Sequence, residues 1–214
     1  MRANLLGSAV MDGRRAQAAR NDTAILEAAR AVYAADPEAP IAAVAARAGV
    51  GISALYRRYP SKEELLRKLC GVGLRESIAA AEAALAVADD DAWKVFRRYM
   101  ARVVQADAHT LSFRLAQTLD THSEALWQDA RKAQDLRERV FKRAQKAGVV
   151  RTDLVAEDLG NVFEQLSAIR GPSPKRTREL RRRYLAVQLA GLRARKKARQ
   201  LPGPPPRVRD RAGA

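Results

Sequence analysis

Apolar residues recur along this chain at spacings of three and four, and the breaks in that rhythm mark out its elements. Ile25, Leu26, Ala29, Val32 and Tyr33 form one stripe, which predicts a helix over Asp22–Ala35 with Asn21 or Asp22 as its cap. Pro37 and Pro40 cannot continue that helix, but Pro40 suits the start of the next. In that second segment Ile41, Val44, Ala45 and Ala48 repeat at i, i+3, i+4 and i+7, and Gly49 supplies a left-handed residue at its end. After Gly51, the stretch Ile52–Tyr59 turns Leu55 and Tyr59 inward. Ser53, Ala54, Arg57 and Arg58 fall on the opposite side, with Tyr56 beside them. Pro60 ends the stretch, and Ser61 with Glu64 has the spacing of a capping box at the head of a longer helix. That helix carries Leu65, Leu66, Leu69 and Val72 and extends to about Val87.

Farther along, Asp89-Asp90-Asp91 caps a helix with Trp93, Phe96, Met100, Val103 and Val104 on one side. A shorter segment, Leu111–Leu119, holds Phe113 and Leu115. Leu126, Ala130, Ala133, Leu136, Val140 and Phe141 predict one long helix ending near Gly148. Thr152 or Asp153 then caps a helix with Leu154, Leu159, Val162, Phe163, Leu166 and Ile169. Gly171-Pro172-Ser173-Pro174 breaks the chain before a last helix, Arg176–Arg193, with Leu180, Tyr184, Leu185, Val187, Leu189 and Leu192. No alternating run of β-branched residues bounded by turns stands out, so the expected fold is all-α with about nine helices. The expected domains are a flexible basic arm over 1–18, a helical DNA-binding domain over 19–77 with its motif at about 40–59, a helical regulatory and dimerisation domain over 78–197, and a disordered basic, proline-rich tail over 198–214.

Composition narrows the function classes. Hydrophobic residues make up 47% of the 214, enough for a packed core, and the net charge of +16 predicts attraction to a polyanion. From Arg193 to Ala214 the chain has eight Lys or Arg and one acid. No apolar run approaches the ~18 residues of a membrane span, and the first residues lack the apolar core of a secretory signal. Together these give the expectation of a cytoplasmic protein. One cysteine, Cys70, excludes an internal disulfide or a cysteine zinc cluster. There is no phosphate-binding glycine loop, nucleophile elbow or HExxH spacing, so an enzyme is not expected. His109 and His122 are out of phase for a local metal pair, and no metal or cofactor is expected.

Two short helices around a glycine turn are the layout of a helix-turn-helix. Ala24-Ile25-Leu26-Glu27-Ala28-Ala29, Val44-Ala45 with Ala48-Gly49-Val50, Leu55-Tyr56 with Tyr59, and Ser61-Lys62-Glu63-Glu64-Leu65-Leu66 together resemble the tetracycline-repressor (TetR) family of bacterial regulators. The resemblance covers about fifty residues. It departs from the family pattern at Pro40, where Thr is usual, at Ser53-Ala54, where Gly-Thr is common, and at Arg58, where His is frequent.

A recognition helix presents polar side chains from one face and sits rigidly on the helix before it. Arg57 and Arg58 are the residues here able to pair with guanine in bidentate fashion, and Ile52, Ser53 and Ala54 suit thymine methyls or small polar edges. By resemblance, Tyr56 and Lys62 contact phosphates. The resemblance also implies a homodimer on double-stranded operator DNA, paired through the last two helices, for which Leu159, Val162, Phe163, Leu166, Leu185 and Leu189 are the candidates. Filling the chain's own core is the other role open to those six. The family's helices in the region Trp93–Phe141 enclose a pocket for a small-molecule inducer. Trp93, Phe96, Met100, Phe113, Gln117, His122 and Trp127 are candidates for its lining, with plain core packing as the alternative. The function expected is a ligand-responsive repressor on a palindromic operator; the rival is a nucleoid-type protein that coats DNA without sequence choice.

Overall fold

A computed structural model describes residues 17, 20–33, 35–36, 38–87, 91–106, 124–195 and 199–206. These residues hold eight helices: α1 over 20–33, α2 (Ile41–Ala48), α3 (Ile52–Arg58), α4 (Lys62–Ala86), α5 (Ala92–Ala106), α6 (Glu124–Lys146), α7 (Ala156–Ala168) and α8 (Pro174–Leu192). Among them there is no strand, only an isolated antiparallel bridge between Val150 and Arg193. The all-α fold expected from the periodicity is what is found. The helical segment expected at Leu111–Leu119, and all of the basic arm except Gln17, lie outside the described residues.

The chain divides into two units, one up to Leu69 and one from Cys70, and this boundary, like the one expected after residue 77, falls inside α4. In the first unit the apolar stripes of α1 (Ile25, Ala28, Ala29, Tyr33) and α2 (Ile41, Val44, Ala45) are buried, as are Leu55, Tyr59, Leu65 and Leu69. The turn after α2 is set by Gly49, which adopts φ 67° and ψ 28°. Gly49 N–H donates to Ala46 O (3.3 Å) and Val50 N–H to Ala45 O (3.1 Å), the paired bonds of a Schellman ending. Tyr59, extended at φ −132°, closes α3 because the following Pro60 disfavours helical backbone before it. Ser61 Oγ accepts from Glu64 N–H (3.2 Å), the forward half of the expected capping box. Glu64 does not complete the box; its carboxylate pairs with Arg67 one turn on.

In the second unit a single core includes Phe96, Met100 and Val103 of α5, Val140 and Phe141 of α6, Leu159, Phe163 and Leu166 of α7, and Leu185, Leu189 and Leu192 of α8. The Tyr99 and Phe163 rings meet edge to face at 6.3 Å. Asp91 Oδ1 accepts from Lys94 N–H (2.9 Å), capping α5 as expected. The start of α7 differs from expectation: Thr152 and Asp153 lie in a turn, and Asp158 reaches back to accept from Val155 N–H (2.8 Å). Arg181 is buried on α8 and donates to Ser167 O (2.9 Å) and Ile169 O (3.3 Å), carbonyls left over at the end of α7. Residues 199–206, expected to be disordered, follow a defined path. Leu201 N–H donates to Asp153 Oδ2 (3.0 Å), and Arg151 donates to Arg199 O (2.8 Å). The Arg151 guanidinium and this amide together hold the Asp153 carboxyl far below the usual carboxylate range.

Candidate nucleic-acid interface

The seven residues of α3 divide cleanly between two sides. Leu55 is fully buried and Tyr59, just past its end, is nearly so, which seats the helix on its own unit. Truncating a side chain buried like Leu55 costs about 2–5 kcal/mol, so the seat is firm. On the other side Ile52 and Tyr56 are 40% and 46% exposed, and Ser53, Arg57 and Arg58 are exposed as well. Ala54 is half-buried. Six of the seven proposed DNA-facing residues therefore belong to one short helix, and its outward side chains have the donors, the aromatic hydroxyl and the apolar groups that DNA contact needs.

Asp22 joins α1 to the end of this helix. It was expected as a helix cap, but α1 already includes residue 20, and the Asp22 carboxylate is engaged elsewhere. Its Oδ1 accepts from the Tyr59 hydroxyl at 2.6 Å and from Arg58 Nε at 3.0 Å. The Arg58 bond holds the Asp22 carboxyl below its ordinary range, burial opposes that, and the Tyr59 bond adds to it. Burial first, and then Asp22, push the Tyr59 hydroxyl well above the ordinary range of a phenol. Nothing in the local sequence around Asp22 reveals partners 36 and 37 residues away.

Lys62, the seventh residue, opens α4. Its ammonium stands 5.3 Å from the centre of the Tyr33 ring and 3.9 Å from Glu38 Oε2. The side chain is 27% exposed, so it is partly laid down on the protein. Tyr33 is buried, its hydroxyl has no hydrogen-bond partner among the described residues, and burial together with the Glu63 charge pushes it up to about 12. Tyr33, expected only as part of an apolar stripe, and Glu38, in the break between α1 and α2, thus both meet Lys62.

The other expected sites are redistributed. Phe96 and Met100 are core residues, with Trp93 half-buried, stacked on Phe96 at 5.9 Å and covered by the Arg193 guanidinium at 5.2 Å. Trp127 is 45% exposed on α6, and Phe113, Gln117 and His122 lie outside the described residues. Leu159, Val162, Phe163, Leu166, Leu185 and Leu189, expected at a surface between two copies, are all buried in the chain's own core. The outward side of α8 instead carries Leu180, Tyr184, Val187 and Gly191, at i, i+4, i+7 and i+11, with Tyr184 48% and Val187 61% exposed. No helix among the described residues is long and apolar enough to cross a membrane.

Comparison with known proteins gives the following. Residues 25–69 match the profile of bacterial regulatory proteins of the tetR family, and residues 88–194 match that of the transcriptional regulator SbtR-like C-terminal domain. Among solved structures, the TetR family transcriptional regulator PfmR from Thermus thermophilus is similar at a TM-score of 0.57 and 23% identity, over 78% of this chain and 97% of that one. The TetR-like regulator LfrR from Mycobacterium smegmatis, solved in complex with proflavine, is similar at 0.56 and 23%, over 79% and 96%. A TetR transcription regulatory protein from Mycobacterium vanbaalenii is similar at 0.50 and 25%, over 84% and 99%. No curated protein sequence matches.

Proposed function

The chain belongs to the tetR family of bacterial regulatory proteins, and from that premise we propose that it is a ligand-responsive repressor that binds a palindromic operator as a homodimer. As a member it is a DNA-binding transcriptional regulator. The observation that best supports the finer reading is the anchored helix α3, with Leu55 and Tyr59 inward and Ile52, Ser53, Tyr56 and Arg57 outward. In this reading α3 enters the major groove, Ile52 and Ser53 at its start face base edges, Arg57 adds a base or phosphate contact, and Tyr56 and Lys62 take phosphates that fix the register.

One such helix contacts too little DNA for a gene-specific affinity, so two copies reading two half-sites complete the reading. The stripe of half-buried Leu180 with exposed Tyr184, Val187 and Gly191 is the surface proposed for that pairing, in place of the buried residues expected from the sequence. The opposing surface comes from α7, whose Glu157, Asn161, Glu164 and Ala168 share the same i, i+4, i+7, i+11 spacing and face outward at least in part. Glu157 and Glu164 on one helix, with Arg176 and Arg183 beside the stripe on the other, give the two surfaces opposite charge. The effector is proposed to act through the second unit, and proflavine, bound by the similar LfrR, is the first compound to try.

Selection of duplexes from a random-sequence library by the purified protein tests the function. A repressor enriches one inverted repeat and prefers it to a scrambled duplex by ~4 kcal/mol or more at physiological salt. The charge of +16 favours the nucleoid-type alternative, whose mark is near-equal affinity for both duplexes with a steep salt slope. That result would sink the repressor reading. A compound acts as effector if it lowers affinity for the enriched duplex and not for the scrambled one.

A further inference from the structure

The Asp22 carboxylate presents an apparent contradiction on a face proposed to meet DNA. A negative charge next to a polyanion weakens binding unless it does something else, and Asp22 is tied to Arg58, the last residue of α3. The bond uses only one edge of the guanidinium. Nε donates to Asp22 at 3.0 Å, the Tyr59 hydroxyl stands close to the same guanidinium, and the arginine side chain is 57% exposed. Tyr59 donates to the same Asp22 oxygen at 2.6 Å, a bond separate from the one that holds the arginine. The arginine therefore loses the freedom of its long side chain before any DNA arrives.

We propose that Asp22 is a positioning residue for DNA binding: it grips Arg58 by Nε and aims both Nη groups at a DNA phosphate beside the C-terminal end of α3. This rests on the reading that α3 faces DNA. A phosphate, rather than a base, follows from place and from shape. In helix-turn-helix docking the first residues of the recognition helix reach base edges, and Arg58 is at the other end. A guanidinium whose Nε side is taken offers the paired Nη groups, which match two phosphate oxygens. Pre-ordering spares binding the entropy of fixing that side chain. Arg58 thus serves neither as a free surface charge nor as the guanine reader that its type alone suggests.

The test sets orientation against simple charge, because the two give opposite signs. Asp22→Ala removes an anion from the DNA face, so charge alone strengthens binding; loss of orientation weakens it. Affinity is measured for the duplex enriched by the wild-type protein and for a scrambled duplex of equal length, across a salt series. Asp22→Ala is expected to bind about tenfold more weakly. Arg58→Gln is expected to bind more weakly too and to lower the slope of log affinity against log salt by about one. In the Arg58→Gln background Asp22→Ala should cause no further loss. Tyr59→Phe keeps the Asp22–Arg58 bond and should bind DNA as the wild type does. Should Asp22→Ala fail to fold, Asp22→Leu with Tyr59→Phe, which empties the site of both polar partners, takes its place. Equal or tighter binding by the Asp22 variant overturns the proposal. So does an equal loss in the Arg58→Gln background, or a loss in Tyr59→Phe as large as that in Asp22→Ala. Equal wild-type affinity for both duplexes would defeat the operator reading, whereas the role of Asp22 is decided by the sign of its effect on either duplex.

Discussion

Asp22 and Glu38 are both acids beside cations of the proposed DNA face, yet their geometries assign them opposite roles. Asp22 accepts two short bonds, and the Arg58 donor keeps its folded-state pKa below the ordinary 3.8. A group whose folded pKa is depressed contributes stability that is fully present above the unfolded value and is lost as pH falls through the folded one. Urea-unfolding midpoints should therefore decline more steeply below pH about 4 for the wild type than for Asp22→Asn, which cannot titrate. Parallel curves would show that the Asp22 charge does not couple to folding. Glu38, by contrast, is 92% exposed and stands 3.9 Å from Lys62, so the pair contributes ~1 kcal/mol at most. A phosphate that takes Lys62 has to displace that acid. Glu38→Gln should tighten DNA binding by up to about fivefold in low salt, with the gain shrinking in a Lys62→Ala background. Weaker binding by Glu38→Gln would mean that Glu38 holds Lys62 in its productive place.

At the scale of elements, the turn between α2 and α3 depends on one backbone conformation. Gly49 has φ 67°, and a Cβ built there meets nothing within 4 Å, so a substitution is penalised by its backbone alone. Gly49→Ala should cost about 1–2 kcal/mol in urea unfolding; no measurable loss would show that the turn relaxes into another form. This turn was legible because a glycine after an i, i+3, i+4 run has few other meanings. The inward placement of Leu55 and Tyr59 was legible for the same reason, since a short helix between Gly51 and Pro60 has room for one buried side. Legibility failed where a helix is apolar at two phases. In α8, Leu185, Leu189 and Leu192 point to the core, while Leu180, Tyr184 and Val187 recur at the same spacing on another side. Periodicity reports both stripes and cannot say which is inside. Bonds such as Asp22 to Tyr59 and Arg181 to Ser167 O were invisible because they join residues distant in sequence. The outward stripe proposed for pairing makes its own prediction. Tyr184→Asp with Val187→Asp should convert a dimer to a monomer in analytical ultracentrifugation, without the loss of helix that a core substitution such as Leu185→Asp brings. A dimer that survives both changes would place the pairing surface elsewhere.

For the whole molecule the question is how much of the +16 charge takes part in recognition. Counterion release makes any cationic segment near DNA raise affinity for every duplex, whatever its sequence, and makes that gain fall with salt. The base contacts proposed for α3 would act differently: they would raise affinity for one site over others and leave the salt slope nearly alone. The last eight residues, 207–214, contain Arg207, Arg209 and Arg211 against Asp210 and thus contribute three minus one to the net charge. Removing them should weaken binding to the enriched and the scrambled duplex by the same factor and lower both salt slopes by no more than about two. The preference between the two duplexes should stay constant, because the part proposed to carry it, α3 with its Asp22 anchor, is untouched. Cutting at residue 198 goes further, since it also takes away Leu201, whose amide holds Asp153 at the connection between α6 and α7. Only that longer deletion should lower the thermal midpoint. If the shorter one changes the preference for the enriched duplex, the tail reads sequence or shape itself, and the division between a specific helix and a general basic end fails.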